Sequence, residues 1–162
     1  MIIVVMGVSG AGKTTVGGRL AEELRWPFFE GDDFHPLANI ARMERGEALT
    51  DRDRRPWLVA IGALIGRLDR ADDSAVIACS ALKEKYRRTL RAESEDGVRF
   101  VYLKADRDSI RERLARREGH FMDPTLLASQ IETLEEPANA LIVDATRSPE
   151  EIVLEIRRAL GI

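Results

Sequence analysis

The sequence predicts an α/β fold, a parallel sheet of five strands covered by helices on both faces, and two observations carry that expectation. Five short apolar or β-rich runs, near 2–6, 27–31, 74–79, 98–103 and 140–144, alternate with longer segments of helical period. Within those segments apolar residues recur four apart: Val16, Leu20 and Leu24; Ile110 and Leu114; Ile152, Ile156 and Leu160. Each set lies on one helical face and predicts a helix packed on the sheet.

Ile2-Ile3-Val4-Val5-Met6 is a continuous apolar run, as a strand buried on both faces requires, and the helix carrying Val16 follows it. Phe28-Phe29-Glu30 and Ala75-Val76-Ile77-Ala78-Cys79 supply the second and third strands. After the last strand, Ser148-Pro149-Glu150-Glu151 starts the final helix, with an N-cap hydroxyl, a proline in the first turn and a glutamate three residues on. Two regions break the alternation, about 35–72 and about 117–139, and insertions of this length usually carry function. At about 150 residues per domain, both belong to one domain spanning 1–162.

Composition removes several function classes. Lys plus Arg is 25 and Asp plus Glu is 28, a formal charge of −3. With 44% hydrophobic residues, that balance argues against disorder and against a general nucleic-acid binder. The single cysteine, Cys79, makes no internal disulfide and asks for no oxidising compartment, so the expected location is cytoplasmic. No apolar run approaches the roughly 18 residues of a membrane helix, and no basic flank marks a signal peptide.

The strongest chemical signal is Gly7-Val8-Ser9-Gly10-Ala11-Gly12-Lys13-Thr14, which fits G-x-x-x-x-G-K-[ST] between a strand and a helix. Such a loop turns backbone N–H groups around phosphate, and the helix N-terminus adds partial positive charge. Lys13 is expected to reach the β and γ phosphates of a nucleotide. Thr14 is expected to give its hydroxyl to Mg²⁺, with Thr15 closing the cradle.

What receives the phosphate depends on the other polar clusters. Glu30-Gly31-Asp32-Asp33-Phe34-His35-Pro36 lies at the C-terminal edge of the second strand, where open α/β sheets bind ligands. Asp32 and Asp33 there each fit a proton acceptor for a hydroxyl, a Mg²⁺ ligand or a cap of the next helix, with the site favoured for Asp32 and the two readings even for Asp33. His35, before a proline, fits a turn residue as well as a ligand. Arg54, in Thr50-Asp51-Arg52-Asp53-Arg54-Arg55-Pro56-Trp57-Leu58, is the candidate fork for a carboxylate, although Thr50 or Asp51 also reads as a cap and the charges as a solvated face. The third strand delivers Ser80, and Lys83 and Arg87 follow it one helical turn apart, facing either an anion or the acidic stretch 93–96. Arg113 and Arg117 precede Gly119-His120-Phe121, which fits a lid carrying positive charge or a helix C-terminus favoured by its dipole.

The chain as a whole resembles the small gluconate kinases in the shikimate- and adenylate-kinase-like branch of the P-loop kinases. The likeness runs from about residue 6 to 137 through Asp33-Phe34-His35-Pro36, Asp53-Arg54 with Pro56-Trp57-Leu58, Cys79-Ser80-Ala81-Leu82-Lys83, Gly119-His120-Phe121 and Ser129-Gln130. Ala11, Arg42 and Ala48 depart from the residues common in that family, without removing an assigned group. The resemblance implies a P-loop NTPase fold with a five-stranded parallel sheet and a small lid near 117–125, and it places the acceptor in the 35–72 insertion. It implies a homodimer and transfer from Mg·ATP to the 6-hydroxyl of D-gluconate. Lys13, Asp32, Arg113 and Arg117 would then be catalytic. Asp32, Asp33, His35, Arg54, Ser80, Lys83, Arg87 and His120 would meet the sugar acid, and Thr14 and Asp32 the metal. Shikimate or a nucleoside monophosphate is the alternative acceptor, and a nucleotide-dependent switch the alternative of another class.

Overall fold

The computed structural model describes the backbone of residues 1–94, 96–115 and 124–162, with side chains except at 113–115 and 124–126. Five strands, β1 (Ile2–Met6), β2 (Phe28–Glu30), β3 (Ala75–Ala78), β4 (Val98–Lys104) and β5 (Leu141–Asp144), form one sheet in the order β2-β3-β1-β4-β5. Every pairing is parallel, with Val4 opposite Ile77 on one side and Phe100 on the other. β1 lies at the centre, and Ile2 through Met6 are each fully buried. Because successive side chains point to opposite faces, full burial of all five means that both faces are covered. The continuous apolar pattern of the sequence has this cause.

Helix α1 (Lys13–Leu24) buries Val16, Leu20 and Ala21, and helix α7 (Pro149–Leu160) buries Ile152, Val153 and Ile156. The two pack on each other and are tied by Arg157–Glu23 at 3.0 Å. Ser148 and Glu151 form the expected capping box of α7, and Gly161 closes the helix in the left-handed region. Leu24 and Leu160, at the ends of their stripes, are only partly buried against the core.

The first insertion resolves into α2 (Leu37–Glu44) and α3 (Asp51–Arg70). Thr50, not Asp51, caps α3: its hydroxyl accepts from Asp53 N while the Asp53 carboxylate accepts from Thr50 N. Trp57, Leu58, Ile61 and Ile65 then turn inward, and α3 packs against β1 and against α4 (Glu84–Arg91). Helix α5 (Arg107–Ala115) follows β4, and helix α6 (Pro124–Thr133) leads back toward β5. The expected lid residues up to 123 lie outside the described residues, and of 124–125 only the backbone in α6 is described. No helix among the described residues is long and apolar enough to cross a membrane.

The second strand is shorter than its apolar run suggests, because Gly31 opens a 3₁₀ turn through Phe34. A Cβ on Gly31 would lie 2.3 Å from the Ala78 carbonyl oxygen, so only glycine lets this turn approach β3 so closely. That approach brings the Asp32 loop over the end of the sheet.

Candidate active site

The chain runs from β1 to one side of the sheet and later returns to the other, so β1 ends at the topological switch point. In open α/β sheets the crevice beyond that point binds ligands. The 7–15 loop fills it. Gly7, Gly10 and Gly12 take φ of 144°, 79° and 97°, values that side-chain-bearing residues rarely adopt. Gly12 precedes α1 with no side-chain cap, and the first turn of α1 holds no acidic residue. No side-chain oxygen caps this helix end, and the helix dipole favours an anion there. Lys13 folds back so that Nζ donates to Val8 O at 3.1 Å. The cradle fits a nucleotide's phosphates in backbone conformation and in charge.

One cleft joins this cradle to the acceptor loops. It is an open cleft of about 630 Å³, bulk solvent at its mouth included. Ser9 and Lys13 line its cradle side; Asp32, His35, Arg54 and Ser80 line the other. Six of the candidate site residues thus meet in one space: Ser9, Lys13, Asp32, His35, Arg54 and Ser80.

Its walls are held by specific bonds. Trp57 Nε1 donates to Gly31 O at 2.7 Å, and His35 stacks on the Trp57 ring at 4.4 Å between centroids. Burial lowers the His35 pKa, opposed by Asp32 and aided by Arg54, which keeps the ring neutral near pH 7. Arg54 Nη1 donates to Leu49 O at 2.6 Å and, more weakly, to Tyr86 Oη at 3.4 Å. Tyr86 in turn donates to Asp51, and burial together with that carboxylate pushes the phenol up to about 12. Lys85 first, then Tyr86 and Lys83, hold Asp51 well below the usual carboxylate range.

Three expected contacts lie elsewhere. Arg87 does not line the cleft: it is 2% exposed, and its guanidinium donates to Ala81 O, Leu82 O and the Glu84 carboxylate Oε2 at 2.9, 3.2 and 2.9 Å. The reason is local. Ala81 takes φ of 43°, a conformation costing about 1–3 kcal/mol in a residue with a Cβ, and the charged bonds of Arg87 hold that turn. Lys83 is paired with Asp51 at 3.1 Å and lies outside the cleft lining, as does the exposed Asp33. Arg113 belongs to α5 by its backbone but its side chain is not described, and Arg117 and His120 lie outside the described residues.

The structure gives roles to residues to which the sequence assigned none. Glu30 Oε2 accepts from Thr14 Oγ1 at 2.7 Å, so a carboxylate stands beside the hydroxyl assigned to Mg²⁺. Its signal was its place as the last residue of β2. Gln130, on α6, accepts from Ser9 N at 2.7 Å and joins the cleft lining, and the Glu135 carboxylate just beyond α6 accepts from Glu84 N. Among the described residues no cluster of three metal-ligating side chains exists. The Thr14–Glu30 pair fits instead an ion that takes one protein hydroxyl, water and phosphate oxygens.

Burial raises the Glu30 carboxyl above its usual 4.5; the Thr14 bond opposes this, Asp32 adds to it and Lys13 subtracts. The folded chain then binds more protons than the unfolded one between 4.5 and the raised value. Stability from this group is complete below the unfolded value and is lost as pH rises through the folded one. Glu30→Gln keeps an acceptor for Thr14 and removes the penalty. Its Tm should exceed the wild type's at about pH 7–8 and converge with it below about pH 4, read by calorimetry across pH. Equal or lower Tm at neutral pH contradicts this.

Cys79 is buried and its thiol is pushed up to about 12 by desolvation, so it is inert packing material at the end of β3.

The comparisons with known proteins agree with this geometry. Residues 9–161 match the family model described as shikimate kinase. A gluconokinase of Gluconobacter oxydans is 43% identical over 96% of this chain and 89% of its own. The crystal structure of a gluconokinase from Sinorhizobium meliloti 1021 is 44% identical, covers 98% of this chain and 90% of its own, and superposes with a TM-score of 0.89. Shikimate kinase from Aquifex aeolicus, at 17% identity, 99% and 96% coverage and a TM-score of 0.65, shares the fold alone. Matched by the shikimate kinase model over nearly all its length and by gluconokinases over 96–98% of it at 43–44% identity, the chain belongs to the gluconokinase branch of the P-loop kinases.

Proposed function

We propose that this protein is an ATP-dependent gluconokinase that phosphorylates the 6-hydroxyl of D-gluconate, releasing 6-phospho-D-gluconate and ADP. The observation that carries the reading is the single cleft in which the cradle lysine, Lys13, and a polar acceptor wall of Asp32, His35, Arg54 and Ser80 share one space. Phosphoryl transfer needs chiefly positioning and charge stabilisation, and a contiguous cleft supplies both.

In this reading the amides of 7–15 and Lys13 hold the nucleotide phosphates. Thr14 with Asp32, and Glu30 beside them, would hold Mg²⁺, which when bound neutralises charge on the phosphates. Asp32 orients the attacking hydroxyl and takes its proton. Arg54 grips the carboxylate of the sugar acid with its free N–H groups, while His35 and Ser80 bond its hydroxyls. Arg113 of α5 and Arg117 would bring positive charge to the transferring phosphoryl group, His120 would meet the sugar acid, and a lid near 117–125 would exclude water, so that the sugar and not solvent attacks. We place the enzyme in the cytoplasm as a homodimer, and sedimentation of the purified chain tests the latter.

The product tests the regiochemistry. Incubation with Mg·ATP and D-gluconate should yield one phosphomonoester whose phosphorus couples to the two C6 protons. A product coupled to a single carbinol proton would place the transfer at another hydroxyl and overturn this orientation of the sugar.

A further inference from the structure

We infer that Asn39 is a positioning residue that holds His35 as the Nε2–H tautomer, making it an obligate hydrogen-bond donor to the acceptor. The inference rests on the gluconokinase reading for the identity of that acceptor, but not for the tautomer.

Asn39, on α2, is 5% exposed, and its Nδ2 lies 2.8 Å from the backbone oxygen of Asp53 and 3.3 Å from His35 Nδ1. A carbonyl oxygen only accepts, so the atom facing Asp53 O must be the amide nitrogen and not the amide oxygen. That bond uses one of its two hydrogens. The second is directed to His35 Nδ1, which must then present a lone pair. A protonated Nδ1 would set two donors against each other, so both the imidazolium and the Nδ1–H tautomer are disfavoured. The ring's proton resides on Nε2.

The rest of the ring's surroundings leave Nε2 for the ligand. One face is covered by the parallel Trp57 ring, itself held to Gly31 O. Nδ1 is engaged by Asn39. Nε2 has no protein partner among the described residues, and His35 lines the cleft beside Asp32 and Arg54. Three side chains in one wall thus divide the work by hydrogen-bond polarity. Arg54 and His35 donate and Asp32 accepts, so the pocket selects an acceptor whose oxygen opposite His35 offers a lone pair, whether hydroxyl or carboxylate. An analogue with hydrogen or a methyl group at that carbon leaves Nε2–H unpaired and is rejected.

The test reads the tautomer itself. Protein labelled with ¹⁵N at histidine contains two such residues, His35 and His120, and His35→Gln assigns the signals by difference. Long-range ¹H–¹⁵N correlation of the free wild type should show His35 protonated at Nε2 and bare at Nδ1. In Asn39→Leu, which removes both donors at similar volume, the two ring nitrogens should move toward the averaged shifts of an unpinned ring. The same variant should lose about 10- to 100-fold in kcat/KM for gluconate, chiefly through KM, with the KM for ATP within about twofold. His35→Gln, which can present an amide N–H in place of Nε2–H, should retain more of that activity than His35→Leu. An Nδ1–H tautomer in the wild type overturns the inference whatever the variant does, so a variant that fails to fold does not protect it. A folded Asn39→Leu that keeps a pure Nε2–H ring and an unchanged KM also overturns it. Wild-type protein with the expected tautomer but no turnover of gluconate would instead overturn the proposed substrate.

Discussion

Lys13→Ala is expected to leave a folded protein with kcat reduced by about 10²- to 10³-fold or more, because one preorganised charge at a transferring phosphoryl group is worth that much. The side chain projects from the first residue of α1, where the cradle's amides and the helix dipole converge, and it lines the same cleft as the acceptor wall. Its ammonium is within reach of Val8 O, a loop contact that a bound nucleotide can exchange for phosphate oxygens. The loss should therefore fall on kcat, with the KM for gluconate little changed, as expected of an interaction strongest in the transition state. Turnover within about tenfold of the wild type would sink the cradle assignment.

Arg54→Ala should have the opposite signature. Losing a charged contact whose partner stays buried costs about 2–5 kcal/mol, which should appear as a large rise in the KM for gluconate and a small one for ATP. The structure strengthens that expectation by showing how the guanidinium is aimed: Leu49 O and Tyr86 Oη take one edge of the fork, and the Tyr86 hydroxyl is itself committed to Asp51. Arg54→Lys should not restore binding, since an ammonium cannot make two parallel bonds to a carboxylate. If the KM values for both substrates rise together, the carboxylate clamp lies elsewhere.

The fold was legible because its signals are local. The run Ile2–Met6 is apolar at every position, and burial on both faces of a central strand demands that pattern. The cradle was legible because glycine spacing, Lys13 and Thr14 are consecutive in the chain. The acceptor wall was legible only in part. Asp32, His35, Arg54 and Ser80 were found as polar residues at strand ends or in an insertion, and the cleft gathers them. Arg87 misled because a basic residue one turn from Lys83 carries no mark of what lies beneath it. Its burial depends on the left-handed turn at Ala81, which nothing in an alanine announces. Glu30 and Gln130 carried no assigned role for the same reason: their partners, Thr14 and Ser9, are 16 and 121 residues away in sequence, and only folding makes them neighbours.

The most direct test of the central claim is coupled ADP release by the purified protein with Mg·ATP, run against gluconate, shikimate, a panel of nucleoside monophosphates and no acceptor. A gluconokinase built around this cleft should show saturable turnover with gluconate and little above background with the rest. Turnover with shikimate or a nucleoside monophosphate in place of gluconate would keep the cradle and contradict the assigned acceptor. ADP release that no acceptor accelerates would contradict the reading of Asp32, His35 and Arg54 as an acceptor site at all.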